Sequence, residues 1–261
     1  MELILYVIIL AFLFETMDSS AGMGFGTGLT PLLFLCGYEP LQVVPILLIS
    51  EAITGLTAGF FHHEFENVKF SIRKPLNKTT KVMLMIAGFG CIAILISVLL
   101  AYFAIKFDKN VIKTYVAILI LAMGLIGMIR LKRKSSNYKP KLLASLSALA
   151  GFNKGIGAGG YGPVVMLGQI FSGVYEKTAT AIVSVAEGIV CIVGVATFFL
   201  ISNYGVNIDF VLLPSIFTGG FIAAIVSPYM VRVLPNKIWR FVIPTYALCM
   251  GLVILINLYI I

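Results

Sequence analysis

Lys154-Gly155-Ile156-Gly157-Ala158-Gly159-Gly160-Tyr161-Gly162-Pro163 interrupts an apolar run in the second half of the chain. A twin, Ala21-Gly22-Met23-Gly24-Phe25-Gly26-Thr27-Gly28-Leu29-Thr30-Pro31, interrupts the first apolar run. Each is followed by a long apolar segment that holds one glutamate, Glu51 or Glu187. Glycine at alternate positions, closed by proline, is not the small-x-x-x-small spacing of plain helix packing. Glycine lets the backbone leave helical geometry and lets a ligand approach it. A half-helix that starts after such a break aims its free N–H groups and the positive end of its dipole at the break. Pro31 and Pro163 fit the first turn of these half-helices, where a missing N–H costs little. Two such ends facing each other inside a membrane would hold a small anion. No strand pattern precedes either stretch, so neither is a nucleotide-binding loop.

The rest of the chain supplies the membrane. Of its 261 residues, 60% are hydrophobic and only 11% are charged, against about 25% charged in a soluble domain. Several segments exceed the length that marks a transmembrane helix, and none alternates with the period of a barrel strand. The class expected is an all-α integral membrane protein. The net charge of +8 reads as topology, because the basic residues lie between apolar segments, and it implies no nucleic-acid partner. Cys36, Cys91, Cys191 and Cys249 stand singly, without metal-ligand or disulfide spacing, and read as packing residues. Met1-Glu2 offers no basic start for a signal peptide. His62-His63-Glu64-Phe65-Glu66 lacks the second histidine of a His-Glu-x-x-His zinc motif and reads as a solvated start to a basic loop. No metal, cofactor or catalytic residue is expected.

Eight apolar units follow one another: Leu3–Cys36, broken around Glu15–Gly28; Leu41–Phe61; Val82–Ile105; Val111–Ile129; Leu142–Phe171, broken around Gly151–Gly162; Thr178–Ser202; Phe210–Val231; and Ile238–Ile261. The order repeats after residue 130: a broken unit, a helix with glutamate, two plain helices. Gly37 precedes Glu51 by fourteen residues, as Gly173 precedes Glu187. The reading is one membrane domain made of two repeats, 1–130 and 131–261. Leu3–Cys36 has 34 residues, more than the roughly 20 of one span and fewer than two spans with a turn. Two half-helices that enter and leave on one side fit that length. With this topology fifteen Lys/Arg share one side and only Lys106, Lys109 and Lys113 lie opposite, Lys154 being set aside as buried. That is the positive-inside distribution. It puts both termini outside and makes the repeats inverted, each a broken re-entrant hairpin plus three transmembrane helices, an arrangement typical of secondary transporters.

Lys154, beside Asn153, falls in the second break at a depth where a charge costs at least about 2.5–3.5 kcal/mol and marks a functional path. An anion would neutralise it. Glu51 and Glu187 sit at matching depths among small and polar residues, and a buried carboxyl that takes up and releases a proton suits coupled transport. A structural hydrogen bond is the competing role for both. Asp18, next to Glu15 at the first break, could cap the half-helix or pair with Lys154.

The two glycine stretches, the first extended through Leu32-Leu33-Phe34-Leu35-Cys36-Gly37-Tyr38-Glu39-Pro40, resemble the glycine-rich motifs of the sulfite exporter TauE/SafE family. The resemblance implies a plasma-membrane (inner-membrane) multi-pass permease for sulfite, sulfonates, sulfoacetate or a related small anion. The expected anion-binding residues are Gly22, Gly24, Gly26, Thr27, Gly28, Asn153, Lys154, Gly155, Gly157, Gly159 and Gly160. Glu51, Glu187 and Asp18 are the coupling candidates. The expected partners are the small anion and the bilayer, with room for a homo-oligomer. An anion channel and a cation or metal-ion transporter using the acidic residues stay open as alternatives.

Overall fold

A computed structural model describes every residue except 1–2, 39, 72, 102–108, 131–137, 158, 203–207 and 260–261. Lys106 and the linker cations Lys132, Arg133 and Lys134 therefore lie outside the described residues. Every regular element described is helical: α1 Leu5–Ala21, α2 Thr30–Leu35, α3 Pro40–Glu64, α4 Lys78–Leu99, α5 Lys109–Arg130, α6 Pro140–Gly157, α7 Tyr161–Phe171, α8 Glu176–Ser202, α9 Leu213–Val233 and α10 Asn236–Tyr259. A π-helical turn, Phe25–Leu29, leads directly into α2. It ends just before Pro31, whose ring would crowd the carbonyl four residues back in a regular α-helix. Among the described residues, five helices are long and apolar enough to cross a membrane: Gln42–Glu64, Lys78–Leu99, Glu176–Ile201, Leu213–Val233 and Asn236–Ile256. The outer surface is apolar, with Leu5, Phe60, Ile129 and Leu200 exposed. In water this surface would be costly, and in lipid it is the expected one.

Both expected breaks are present and both are shorter than the sequence indicated. Helical backbone continues through Glu15 and Asp18 to Ala21, and through Asn153, Lys154 and Gly155 to Gly157. The breaks themselves are residues 22–24 and, among the described residues, 159–160. Gly22 (φ 71) and Gly160 (φ 81) make the two turns in left-handed geometry that residues with a Cβ avoid. The glycines upstream are tolerated inside α6 because they admit a neighbour. A Cβ on Gly155 would collide with Ser97, and one on Gly151 with the backbone of Gly90, both on α4. Pro163 falls in the first turn of α7, as expected. Pro31 does not begin its half-helix, because that half-helix starts one turn earlier at Phe25.

Both half-helices end alike. Tyr38 N–H donates to Leu33 O at 3.1 Å, and Val174 N–H to Gln169 O at 3.0 Å. Gly37 (φ 90) and Gly173 (φ 75) stand just before those donors. This is the Schellman stop.

Helix α1 lies on α9 and α6 on α4; α3 crosses α8; α5 pairs with α10; α3 also touches α9, as α8 touches α4. At one end of the bundle, Ile4 N–H donates to Ser215 Oγ, Gln42 Nε2 to Asp209 Oδ2, and the Tyr6 and Tyr38 hydroxyls share a bond of 2.8 Å. At the other end, Asn67 Nδ2 donates to Pro228 O, Asn236 Nδ2 to Glu176 Oε2, and Lys78 lies 5.0 Å over the Tyr138 ring. The two breaks meet between these ends. A Cβ on Gly162 would strike Gly22 O and lie 2.8 Å from Met23 Cα, and Gly22 faces the Met166 sulfur.

Gly162→Ala should therefore destabilise the purified protein by about 1–3 kcal/mol through overpacking against backbone. Gly88→Ala, where nothing lies within 4 Å of the added carbon, should leave the melting temperature in detergent unchanged or raised.

Candidate functional site

The site is assembled by a close helix crossing. On α3, Gly55 lies one turn after Glu51; on α8, Gly188 directly follows Glu187. A Cβ on Gly55 would be 2.6 Å from Ser184 O and 3.2 Å from Gly188 Cα. With no side chains at the crossing the two backbones nearly touch, and their glutamates reach the same point. Lys154 arrives from α6. Its ammonium pairs with Glu51 Oε2 and donates to Glu187 Oε1 at 2.5 Å. All three side chains are buried, Lys154 completely. Lys154 Nζ also lies 5.9 Å from the centre of the Tyr161 ring, at the start of α7.

Two more carboxyls stand close by. Asp18 and Glu15, on α1, are electrostatic neighbours of Glu51 and Glu187. Asp18 Oδ1 accepts the Phe25 N–H at 3.2 Å, so it caps the half-helix after the first break and does not pair with Lys154. Glu15 Oε1 accepts the Ser19 hydroxyl at 2.6 Å. The Cys191 thiol, one turn after Glu187 on α8, donates to Glu51 Oε2 at 3.4 Å, so this cysteine does more than fill space. Fully ionised, four carboxyls against one ammonium leave the cluster at −3. That much uncompensated charge at low dielectric is untenable.

Several buried polar atoms here meet no hydrogen-bonding partner: Glu15 Oε2, Glu51 Oε1, Glu187 Oε2, Ser50 Oγ, Thr54 Oγ1, Tyr161 Oη and both amide atoms of Asn153. Buried polar atoms are normally satisfied, and such a concentration marks a place where water or solute can be held.

The glycines fall into different surroundings. Gly24 and Gly28 face α1, against Phe14 O and the Phe14 ring, and Gly155 faces α4. Gly26 and Thr27 are buried in the π-helical turn, Gly157 ends α6, and Gly159 and Gly160 form the second break. The free helix start belongs to α7, whose N-cap, Gly160, offers no side chain.

The solvated reading of His62 is overturned. Its side chain is 0% exposed. Its Nε2 donates to Ser19 O at 2.9 Å and its Nδ1 accepts from Asn67 Nδ2 at 3.0 Å. The cause is the first break: with α1 ending at Ala21, the carbonyls of its last turn lose their helical donors. His62 satisfies Ser19 O, and the Thr180 hydroxyl approaches Ser20 O. The sequence held no signal for this, because the break and α3 are joined only in space.

With this geometry in place, comparison with known proteins is informative. The description of the sulfite exporter TauE/SafE family matches residues 7–254, nearly the whole chain. The chain belongs to the sulfite exporter TauE/SafE family. A Bacillus subtilis (strain 168) protein described as "Probable membrane transporter protein YtnM" is 27% identical over 230 residues, covering 84% of this chain and 71% of that protein. The resemblance read from the glycine stretches is thus borne out. This TauE/SafE protein is a multi-pass membrane transporter.

Removing Lys154 should leave two facing glutamates unneutralised. Lys154→Met is expected to lower stability by about 3–5 kcal/mol. Adding Glu51→Gln and Glu187→Gln should restore most of it, since the neutral triple variant buries no charge there. Thermal unfolding of wild type, Lys154→Met and the triple variant in detergent checks this; a Lys154→Met protein as stable as wild type would mean that the triad is not formed.

Proposed function

We propose that this protein is a secondary transporter that moves a small, sulfur-containing anion such as sulfite, a sulfonate or sulfoacetate by alternating access, together with protons. The observation that carries the reading is the Lys154 ammonium held between Glu51 and Glu187 where the two breaks meet. Family membership supports the substrate class. Lys154 cannot serve an anion while both glutamates occupy it. When protons neutralise them, the ammonium is released toward the open start of α7, where Tyr161, Asn153 and the backbone N–H groups after Gly160 complete an anion site. Anion binding then requires proton uptake, and the two move together. Glu51, Glu187 and Asp18 are the residues through which this coupling would run.

The re-entrant and inverted architecture belongs to the same proposal. In its favour, the Tyr6–Tyr38 bond joins the two ends of the first broken unit at one end of the bundle. Glu176, which follows the second broken unit, bonds Asn236 at the opposite end, near Lys177 and Arg232. The contacts are also unchanged in kind when the halves are exchanged: α1 with α9 becomes α6 with α4. The basic residues Lys69, Lys78, Lys141, Lys177, Arg232 and Arg240 would face the cytoplasm at that second end, with the termini outside a plasma membrane.

One observation favours a rival. Four carboxyls surround a single ammonium, which suits a cation carrier. Among the described residues no group of three or more His, Cys, Asp or Glu is disposed to hold a metal ion, and the anion reading is preferred.

Reconstituted in liposomes, the protein should accumulate radiolabelled sulfite when the outside is made acidic, saturably and with collapse by a protonophore. Lys154→Ala, or the neutral triple variant, should abolish saturable uptake. Glu187→Gln should flatten its pH dependence. Uptake of a divalent cation in place of sulfite, lost in Glu51→Gln, would overturn the reading in favour of the cation carrier.

A further inference from the structure

We propose that Glu15 holds the travelling proton while Lys154 is paired with the two glutamates, an inference that rests on the proton-coupled reading above. Each carboxyl of the cluster is bonded differently. Glu51 and Glu187 hold the Lys154 ammonium. Asp18 holds the Phe25 N–H at the helix start. Glu15 holds only the Ser19 hydroxyl, through Oε1. Its Oε2 is buried and meets no hydrogen-bonding partner, and the residue is 1% exposed.

Most of the charged groups facing Glu15 are acidic. From α3 come Glu51 and the Thr54 side chain, from α8 Glu187, and from its own helix Asp18. Tyr246 of α10 lies near Asp18. Lys154 of α6 is committed to the glutamates, and the Arg232 guanidinium of α9 is exposed and pairs with Glu66. An ionised Glu15 would thus add a negative charge beside two others, with only the Ser19 and Thr54 hydroxyls to meet it. The neutral acid needs a single proton on Oε2, where nothing competes.

The position also explains a sequence of events. While Lys154 bonds both glutamates, neither needs a proton. When the ammonium is released toward an anion, both glutamates lose their partner; the proton on Glu15 Oε2 neutralises one of them and a proton from water the other. Glu15 changes from neutral to anionic as the glutamate changes from anionic to neutral. A proton from water then restores Glu15, and charge and protons balance.

Two measurements test this. Infrared difference spectra of the purified protein at neutral pH should contain the C=O stretch of a protonated, buried carboxylic acid, and Glu15→Gln should remove it. Ser19→Ala, which takes away the hydroxyl bonded to Glu15, should shift that band. In liposomes, the ratio of sulfite accumulated under an acid-outside gradient to sulfite exchanged at equal pH should fall to one in Glu15→Gln and stay above one in Glu15→Asp. A band that survives Glu15→Gln, a band unmoved by Ser19→Ala, or a full gradient response in Glu15→Gln would overturn the proposal. Failure of the wild-type protein to transport sulfite would count against the substrate reading, and the infrared result would still decide where the proton sits.

Discussion

A single ammonium buried between two carboxylates organises this molecule. Lys154 comes from α6, Glu51 from α3 and Glu187 from α8, so the triad ties the second broken unit to both long glutamate helices. Charges so deep are tolerated only when they are paired. The surrounding fold is arranged to permit the pairing. Gly55 and Gly188 let α3 and α8 approach to backbone contact, and Gly151 and Gly155 let α6 settle against α4. Each of these glycines costs about 1 kcal/mol of helix propensity. They occur where a side chain would push the triad apart.

The breaks solve a second problem, that of backbone groups in lipid. A helix that stops inside a membrane exposes carbonyls and N–H groups that no water can meet. At the first break the remedy comes from distant parts of the chain: Asp18 takes the Phe25 N–H, and His62 and Thr180 turn to the carbonyls of Ser19 and Ser20. The second break is left more open, with no side-chain cap at Gly160 and with Tyr161 and Asn153 unsatisfied. One helix start is closed by an acid of the chain itself, and the other has no side-chain cap.

The carboxyl excess changes the picture of anion handling that a lone lysine would imply. Lys154 is not a standing positive charge awaiting a substrate; its charge is already spoken for. In the proposed function, anion transport through such a centre is conditional on protons, and conditionality of this kind separates a coupled carrier from a simple pore.

Much of the fold was legible in the amino-acid sequence. Apolar runs of membrane-spanning length, two glycine-rich interruptions, the recurrence of a glutamate fourteen residues after a glycine, and the family resemblance are all local properties, and each has its counterpart among the helices. Lys154, Glu51, Glu187 and Asp18 could be singled out because an ionisable residue in an apolar run is anomalous wherever it is found. What remained hidden depended on neighbours far apart in the chain. That Lys154 lies within a helix follows from the contacts of Gly151 and Gly155 with α4, which offset their poor helix propensity. That Lys154 meets both glutamates at once follows from the α3–α8 crossing. That His62 is buried follows from carbonyls orphaned 43 residues earlier. Sequence by itself determined which groups could not be left in lipid without partners; tertiary structure decided which partners they took, because that choice depends on distances that only the packed helices define.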